Sequence, residues 1–309
     1  KHAGNQEAEI SCSITYILFI HRVQRVRLSF LTLRAQQNRP VICYNVKMTN
    51  KQTTTAIREQ TSTHRQTVRT AVLLAAGRGI RLKERGELTP KGFLKLGDHP
   101  IIEESIVRLL SVGIERIVIV TGHLADQFDA LQERHANTIE LVHNPHYADS
   151  GTMYSLFCAR NTVDEAFLLL EADLVYERAA LTTCLEHPND NVLLVAGFSN
   201  TSDAYFVESN NGDLVTISND RESLGAEVGG EMVGISKISQ SLFTAMCDTA
   251  EQQFGTTRHL GYEMHGLISA ARDFSISCPV VDDLVWCEID DETHLTRARE
   301  EVYPRVHKK

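Results

Sequence analysis

The chain has 309 residues, 42% of them hydrophobic and 23% charged, with a formal net charge of −9. That composition suits one folded domain of above-average size or two small ones. The acidic balance argues against a general binder of nucleic acid or of anionic membranes. The cysteines are scattered, without a C-x-x-C or a Cys/His zinc spacing, and read as reduced, mostly buried thiols of a cytoplasmic protein.

Residues 1–47 hold seven Lys/Arg against two Glu, and the first methionine is Met48. The apolar run at 13–20 is too short to span a bilayer. Its basic residues mostly follow the run, which disfavours a signal peptide. An Arg-rich transit peptide is one reading, and a leader without function ahead of a start at Met48 is the preferred one. The Thr- and Gln-rich stretch from Met48 to Gln66 reads as a mobile tail. This places leader and tail at 1–69 and the working domain at 70–309.

From Thr70 onward strand and helix signals alternate, which predicts a mostly parallel sheet with helices on both faces. Strands are expected at 71–75, 116–121, 139–143 and 167–170, a further central strand at 191–198, and another at 274–281. Ile102, Ile106, Leu109 and Leu110 recur at helical spacing before a stop at Gly113. Further helices are expected at 126–135, 152–160, 240–254, 262–272 and from Glu292. Residues 205–208 and 213–217, joined by Ser-Asn-Asn-Gly, read as a β-hairpin that forms a small lid or substrate wall. No repeat and no linker divides this part.

The stretch RTAVLLAAGRGIRLKERGELTPKGFLKL carries the most chemistry. An apolar strand runs into Ala76-Gly77-Arg78-Gly79-Ile80-Arg81, and Pro90-Lys91 follows. Two glycines let backbone N–H groups approach a polyphosphate, and Arg78, Arg81 and Lys91 bring positive charge to the same loop. A dinucleotide fingerprint is excluded because Leu82 replaces its third glycine and the next strand ends in Thr121-Gly122 instead of an acid. No P-loop is present. The layout implies a nucleoside triphosphate held by backbone and basic side chains.

LLAAGRGIRL with TPK resembles the nucleotidyltransferase family that makes activated sugars and activated alcohols. VTGHLADQF, NPHYADSGTMYSL, FLLLEADLVYE, GEMVGISKIS and VWCEIDDETHL bring it nearer to the cytidylyltransferases of 2-aminoethylphosphonate and phosphocholine. The similarity runs from about residue 70 to 305. It implies a three-layer, Rossmann-like α/β fold that releases pyrophosphate from a nucleoside triphosphate.

Nucleotidyl transfer requires an anionic nucleophile in line with an α-phosphate and a means of neutralising the charge that develops. A divalent ion, here Mg²⁺, needs carboxylates for that task. Asp173 follows an apolar strand whose carboxyl end should open on the crevice, although a solvated loop Asp would look the same. The resemblance pairs Asp173 with Asp290, and two-residue alternation puts Glu288 on the same strand face as Asp290. Asp291 fits better as a helix cap.

Lys91 is expected to meet the α-phosphate and Arg81 the β- and γ-phosphates, with Arg78 and Lys95 equally readable as surface charges. Leu74, Ala75, Ala76, Gly77, Arg78 and Gly79 form the expected nucleotide loop. Base selection is expected in the segment 144–155; the resemblance adds Gly151, Thr152 and Ser155 there as pocket residues, where an ordinary helix cap would explain Ser150 or Thr152 equally well. Glu231, Tyr262, Glu263 and Trp286 supply acids and aromatic faces for a cationic acceptor.

The resulting expectation is a Mg²⁺-dependent cytidylyltransferase joining CTP to a small phosphonate or phosphate monoester, foremost 2-aminoethylphosphonate. No nucleic-acid or membrane partner is expected, and self-association is left open. Phosphocholine or a sugar 1-phosphate as acceptor remains an alternative, as does a non-catalytic nucleotide-binding regulator on the same fold.

Overall fold

The computed structural model describes residues 67–199 and 204–308. The leader, the start at Met48 and the tail up to residue 66 lie outside the described residues.

The first strand, β1 (Thr70–Ala75), is apolar at every position but its first, and both its faces are covered. β2 (Arg116–Thr121), β3 (Ile139–His143) and β4 (Phe167–Glu171) follow. β1 lies parallel between β2 and β4, and β3 extends this group beyond β2. Alternate residues feed two separate cores. Val72, Leu74, Val118, Val120 and Leu169 pack with Met153, Leu156, Phe243 and Met246 on one face. Ala71, Leu73, Ile117, Ile119, Leu168 and Leu170 pack with Ile102, Ile106, Leu109 and Leu131 on the other. Two-residue alternation in strands buried on both sides therefore produces the three layers.

The helix over Ile101–Ser111 ends before Gly113, whose φ of 92° takes the chain into the left-handed region. The expected helix at 126–135 is a 3₁₀ turn, Ala125–Phe128, running into an α-helix, Asp129–Arg134. The segment at 262–272 is a π-helical turn, Tyr262–Leu267, with one α-helical turn after it.

The rest of the sheet departs from the expected pattern. β5 (Leu174–Tyr176) leaves the main sheet, and β6 (Val192–Ala196) follows it. β7 (Phe206–Asn210) and β8 (Asp213–Ser218) form the expected hairpin around Asn211-Gly212. β9 (Val228–Ile238), 11 residues long, runs antiparallel between β4 and β6 and also pairs with β7. Sequence reading assigned no strand there, because glycines and Glu231 interrupt the apolar run. β6 is consequently next to the edge, not central. Of the predicted 274–281 strand, Val280–Val281 (β10) joins the main sheet as a strand on the far side of β6, and Ser277 adds a single bridge to Val192. Lastly β11 (Trp286–Glu288) pairs antiparallel with β5 as a separate two-stranded ribbon.

Candidate active site

β1, β4 and the β5–β11 ribbon converge where the parallel strands end. After Ala75 the chain turns through Gly77 and Gly79, and Gly79 sits at φ 59°, a conformation costly for a side-chain-bearing residue. Pro90 then leads a short 3₁₀ turn, Lys91–Phe93. Lys91 Nζ donates to Asp173 Oδ2 at 2.7 Å and to Asp290 Oδ1 at 2.6 Å. Arg81 meets the same Asp290 oxygen at 2.6 Å while more than half its side chain stays in solvent.

Burial works against the charge on Lys91, but Asp173, Asp290 and Glu288 outweigh it and raise its pKa above the ordinary lysine value. Lys91 is therefore a fixed ammonium ion. Burial also pushes Asp290 upward, yet Lys91 and Arg81 together hold it below the usual carboxylate range.

A second group of acids lies alongside. Glu171, Asp173 and Glu288 each place a carboxylate oxygen within 4.8 Å of the others. Burial, then Asp173 and Glu263, push Glu171 up to about 8. Burial, then Glu171, Asp173 and Asp290, push Glu288 well above its ordinary value. Three hard oxygen donors under mutual repulsion fit a divalent cation of the Mg²⁺ kind. The predicted metal set is thus regrouped by the geometry: Asp173 and Glu288 stand with Glu171, while Asp290 faces the two cations. β11 stops at Glu288, so Asp290 lies past the strand on which alternation had placed it. Glu171 went unassigned in the sequence, although the E-x-D spacing around Asp173 carries the same alternation signal as Glu288 and Asp290.

The cleft beside these groups is lined by Leu74, Ala75, Ala76, Gly77, Lys91, Asp173, Gly151, Thr152 and Ser155. Arg78 and Gly79 belong to the loop but do not line the cleft, and Lys95 is an exposed residue. Tyr147 and Ser150, inside the segment expected to select the base, also line it, as does Glu171, which the sequence left unassigned. The helix Thr152–Cys158 is capped by Gly151 with no side-chain bond, so neither Ser150 nor Thr152 acts as the cap. A Cβ on Gly151 would lie 2.3 Å from Leu260 O, which demands glycine there. Asp291 does cap its helix, accepting from His294 N at 2.8 Å.

The four expected acceptor residues separate. Thr152 Oγ1 accepts from Tyr262 N at 3.0 Å and donates to Glu263 Oε2 at 3.1 Å; Tyr262 Oη donates to Glu171 Oε1 at 3.1 Å. Tyr262 and Glu263 thereby brace the side of the acidic group that faces Thr152. Trp286 lines a second pocket with Tyr205, Glu288, Asp290 and Ser199. Glu231 sits behind it, fully buried, and accepts from Ser199 N at 2.8 Å and Ser199 Oγ at 2.5 Å. Glu288 and Asp290 are shared between this pocket and the Lys91 site.

Residues 71–201 match the MobA-like NTP transferase domain. A choline-phosphate cytidylyltransferase of Streptococcus pneumoniae is 37% identical over 99 residues, covering 32% of this chain and 42% of the relative. A 2-aminoethylphosphonate cytidylyltransferase of Lancefieldella rimae is 36% identical over 106 residues, covering 34% and 43%. The chain thus spans less than half the length of either relative. The inositol-1-phosphate CTP transferase structure from T. maritima superposes with a TM-score of 0.67 at 20% identity, covering 79% of this chain and 98% of that one. That likeness concerns the fold, a Rossmann-like α/β sheet. Among the described residues no helix is long and apolar enough to cross a membrane.

Proposed function

We propose that this chain, whose residues 71–201 belong to the MobA-like NTP transferase family, transfers CMP from CTP to a small phosphonate, foremost 2-aminoethylphosphonate. The observation that carries the reading is Lys91 held between Asp173 and Asp290 at the wall of the cleft formed by the β1 loop and Gly151–Thr152.

In this reading an acceptor oxygen attacks the α-phosphorus of CTP. The bond from that phosphorus to the bridging oxygen breaks, and pyrophosphate leaves with the electron pair. The acceptor oxygen is already anionic, so no protein base is needed. Lys91 supplies a fixed positive charge to an α-phosphate oxygen, and solvent-facing Arg81 supplies a second to the leaving pyrophosphate. Glu171, Asp173 and Glu288 would hold Mg²⁺, which when bound neutralises phosphate charge as a Lewis acid. Buried Tyr262 and half-buried Thr152 keep Glu171 and Glu263 in place.

The second pocket gives one observation for each acceptor. Glu288 suits a primary ammonium, whereas the aromatic faces of Trp286 and Tyr205 suit the trimethylated group of phosphocholine. Pyrophosphate release measured over four nucleoside triphosphates and a panel of small phosphonates and phosphates decides. The expected result is CTP with 2-aminoethylphosphonate at the highest kcat/KM. Equal or better turnover of phosphocholine moves the assignment to the choline acceptor, and no release with any pair removes the enzymatic reading.

A further inference from the structure

Asn144 lies immediately beyond β3 and is completely buried. Its backbone N–H donates to Thr121 O at 2.8 Å, which ties it to the end of β2. Its side-chain Oδ1 accepts from His146 N at 2.8 Å. A backbone N–H can only donate, so this bond fixes which way the amide faces. The Nδ2 group must then point the other way. It donates to Ser150 Oγ at 3.1 Å and to Ser155 Oγ at 3.0 Å.

Ser150 and Ser155 both line the nucleotide cleft. Asn144 fills one lone pair of each hydroxyl oxygen, and among the described residues neither hydroxyl donates to a protein acceptor. Their protons are therefore available to the cleft. Thr152, the third hydroxyl lining the same wall, differs because its proton is committed to Glu263. One buried amide thus fills a lone pair on each of two cleft-lining hydroxyls and turns their protons toward the cleft.

We propose that Asn144 is a positioning residue for base selection: it presents Ser150 and Ser155 as hydrogen-bond donors to the O2 and N3 edge of cytosine. In uracil N3 carries a hydrogen and meets a donor with a donor. The inference rests on the CTP reading above and deepens it by naming what separates CTP from UTP. It also assigns Asn144 a role through the serines, without contact to the base.

The test compares CTP, UTP and 3-deaza-CTP, in which C–H replaces N3, by calorimetric binding and by pyrophosphate release. Wild-type protein is expected to bind CTP at least about tenfold more tightly than either of the others, because a site built to hydrogen-bond an atom discriminates against its loss. Asn144→Asp keeps the acceptor for His146 N–H but accepts from both serines, leaving only lone pairs toward the cleft. It should shrink the CTP-to-UTP preference by at least about tenfold or reverse it. Because that variant buries a charge, the double substitution Ser150→Ala/Ser155→Ala is the second arm, and its CTP-to-3-deaza-CTP ratio should fall to about one. A ratio near one in wild type overturns this inference while leaving the cytidylyltransferase reading intact. Variants that weaken all three nucleotides by one common factor overturn it too, since that is the mark of a structural role only. Preference for UTP, or no pyrimidine nucleotide binding at all, overturns both readings.

Discussion

The parallel and antiparallel halves of the sheet contribute to the site in different ways. In the parallel half, β1 leads into the glycine loop and β4 ends two residues before Asp173, on the short link to β5. In the antiparallel half, and in the separate β5–β11 ribbon that adjoins it, distant segments must find each other: Leu168 lies opposite Lys237, and Trp286 opposite Tyr176. Asp173 follows directly from a core strand, whereas Asp290 reaches Lys91 only once the β5–β11 ribbon has closed. The two carboxylates that hold one lysine therefore do different work. Asp173 belongs to both the lysine pair and the acidic trio; Asp290 pairs with the lysine and the arginine and also lines the second pocket.

Substitution of these two acids gives the largest expected effect. Asp173→Asn should lower kcat by at least about a hundredfold, a few kcal/mol of transition-state stabilisation, at saturating Mg²⁺. Asp290→Asn should cost less, and should raise the KM for CTP because Lys91 and Arg81 lose their shared anchor. Single-turnover kinetics of the two variants, with circular dichroism to verify folding, measures the difference. Equal losses in kcat would erase the distinction between the halves, and near-normal rates in both would remove the carboxylate mechanism.

The same division explains what the sequence made legible. β2 was readable to the residue because Ile117 to Val120 are uniformly apolar and bounded by polar residues. The hairpin was readable because Asn211 and Gly212 both adopt positive φ, as a tight two-residue turn requires. β9 was not, since Gly229, Gly230 and Gly234 break its pattern and its stability comes from pairing with β4 and β6. The site followed suit. Lys91, Asp173 and the glycine loop lie in one short motif or at a strand end, where local rules suffice. That Asp290 faces cations while Glu171 joins the acids depends on where β11 stops, which no local pattern states. The segment 144–155 was legible as the place of base selection, but the part Asn144 takes in it was not, because its three side-chain bonds exist only after the loop to Ser155 has folded.

A smaller effect probes the acidic trio where the halves meet. Glu171 has its folded pKa raised from 4.5 to about 8, by burial first and by Asp173 and Glu263 next. A raised pKa means that the folded state holds a proton the unfolded state has released. Stability from this group is full below about pH 4.5 and is lost as pH rises toward 8, on the order of a few kcal/mol. In metal-free buffer the wild-type Tm should therefore fall between pH 5 and 8.5 more steeply than that of Glu171→Gln, which keeps an acceptor for Tyr262 Oη. Added Mg²⁺ should restore the wild type at high pH and leave the variant nearly unmoved. Parallel pH profiles of the two proteins would show instead that Glu171 is ionised throughout, and the trio would lose its claim to be a crowded cation site.

The smallest effect isolates the antiparallel half from the chemistry. Gly212 sits at φ 84° in the β7–β8 turn, and a Cβ added there meets no atom within 4 Å. Gly212→Ala is thus a backbone change alone: it introduces no clash and forces an alanine into the left-handed region, at about 1 kcal/mol. The cost should appear as a Tm lower by a few degrees, with kcat and the KM for CTP unchanged, since the turn bears no residue of either pocket. The informative quantity is the KM of the acceptor. If the hairpin is only a brace for β9, that constant also stays put. If the hairpin closes over the second pocket as a lid, strain at its tip is transmitted through Phe206 to Tyr205, and the acceptor KM rises while the CTP KM does not. A rise in both constants together would mean that the two halves do not act separately, and that the comparison drawn from their pairing does not extend to their function.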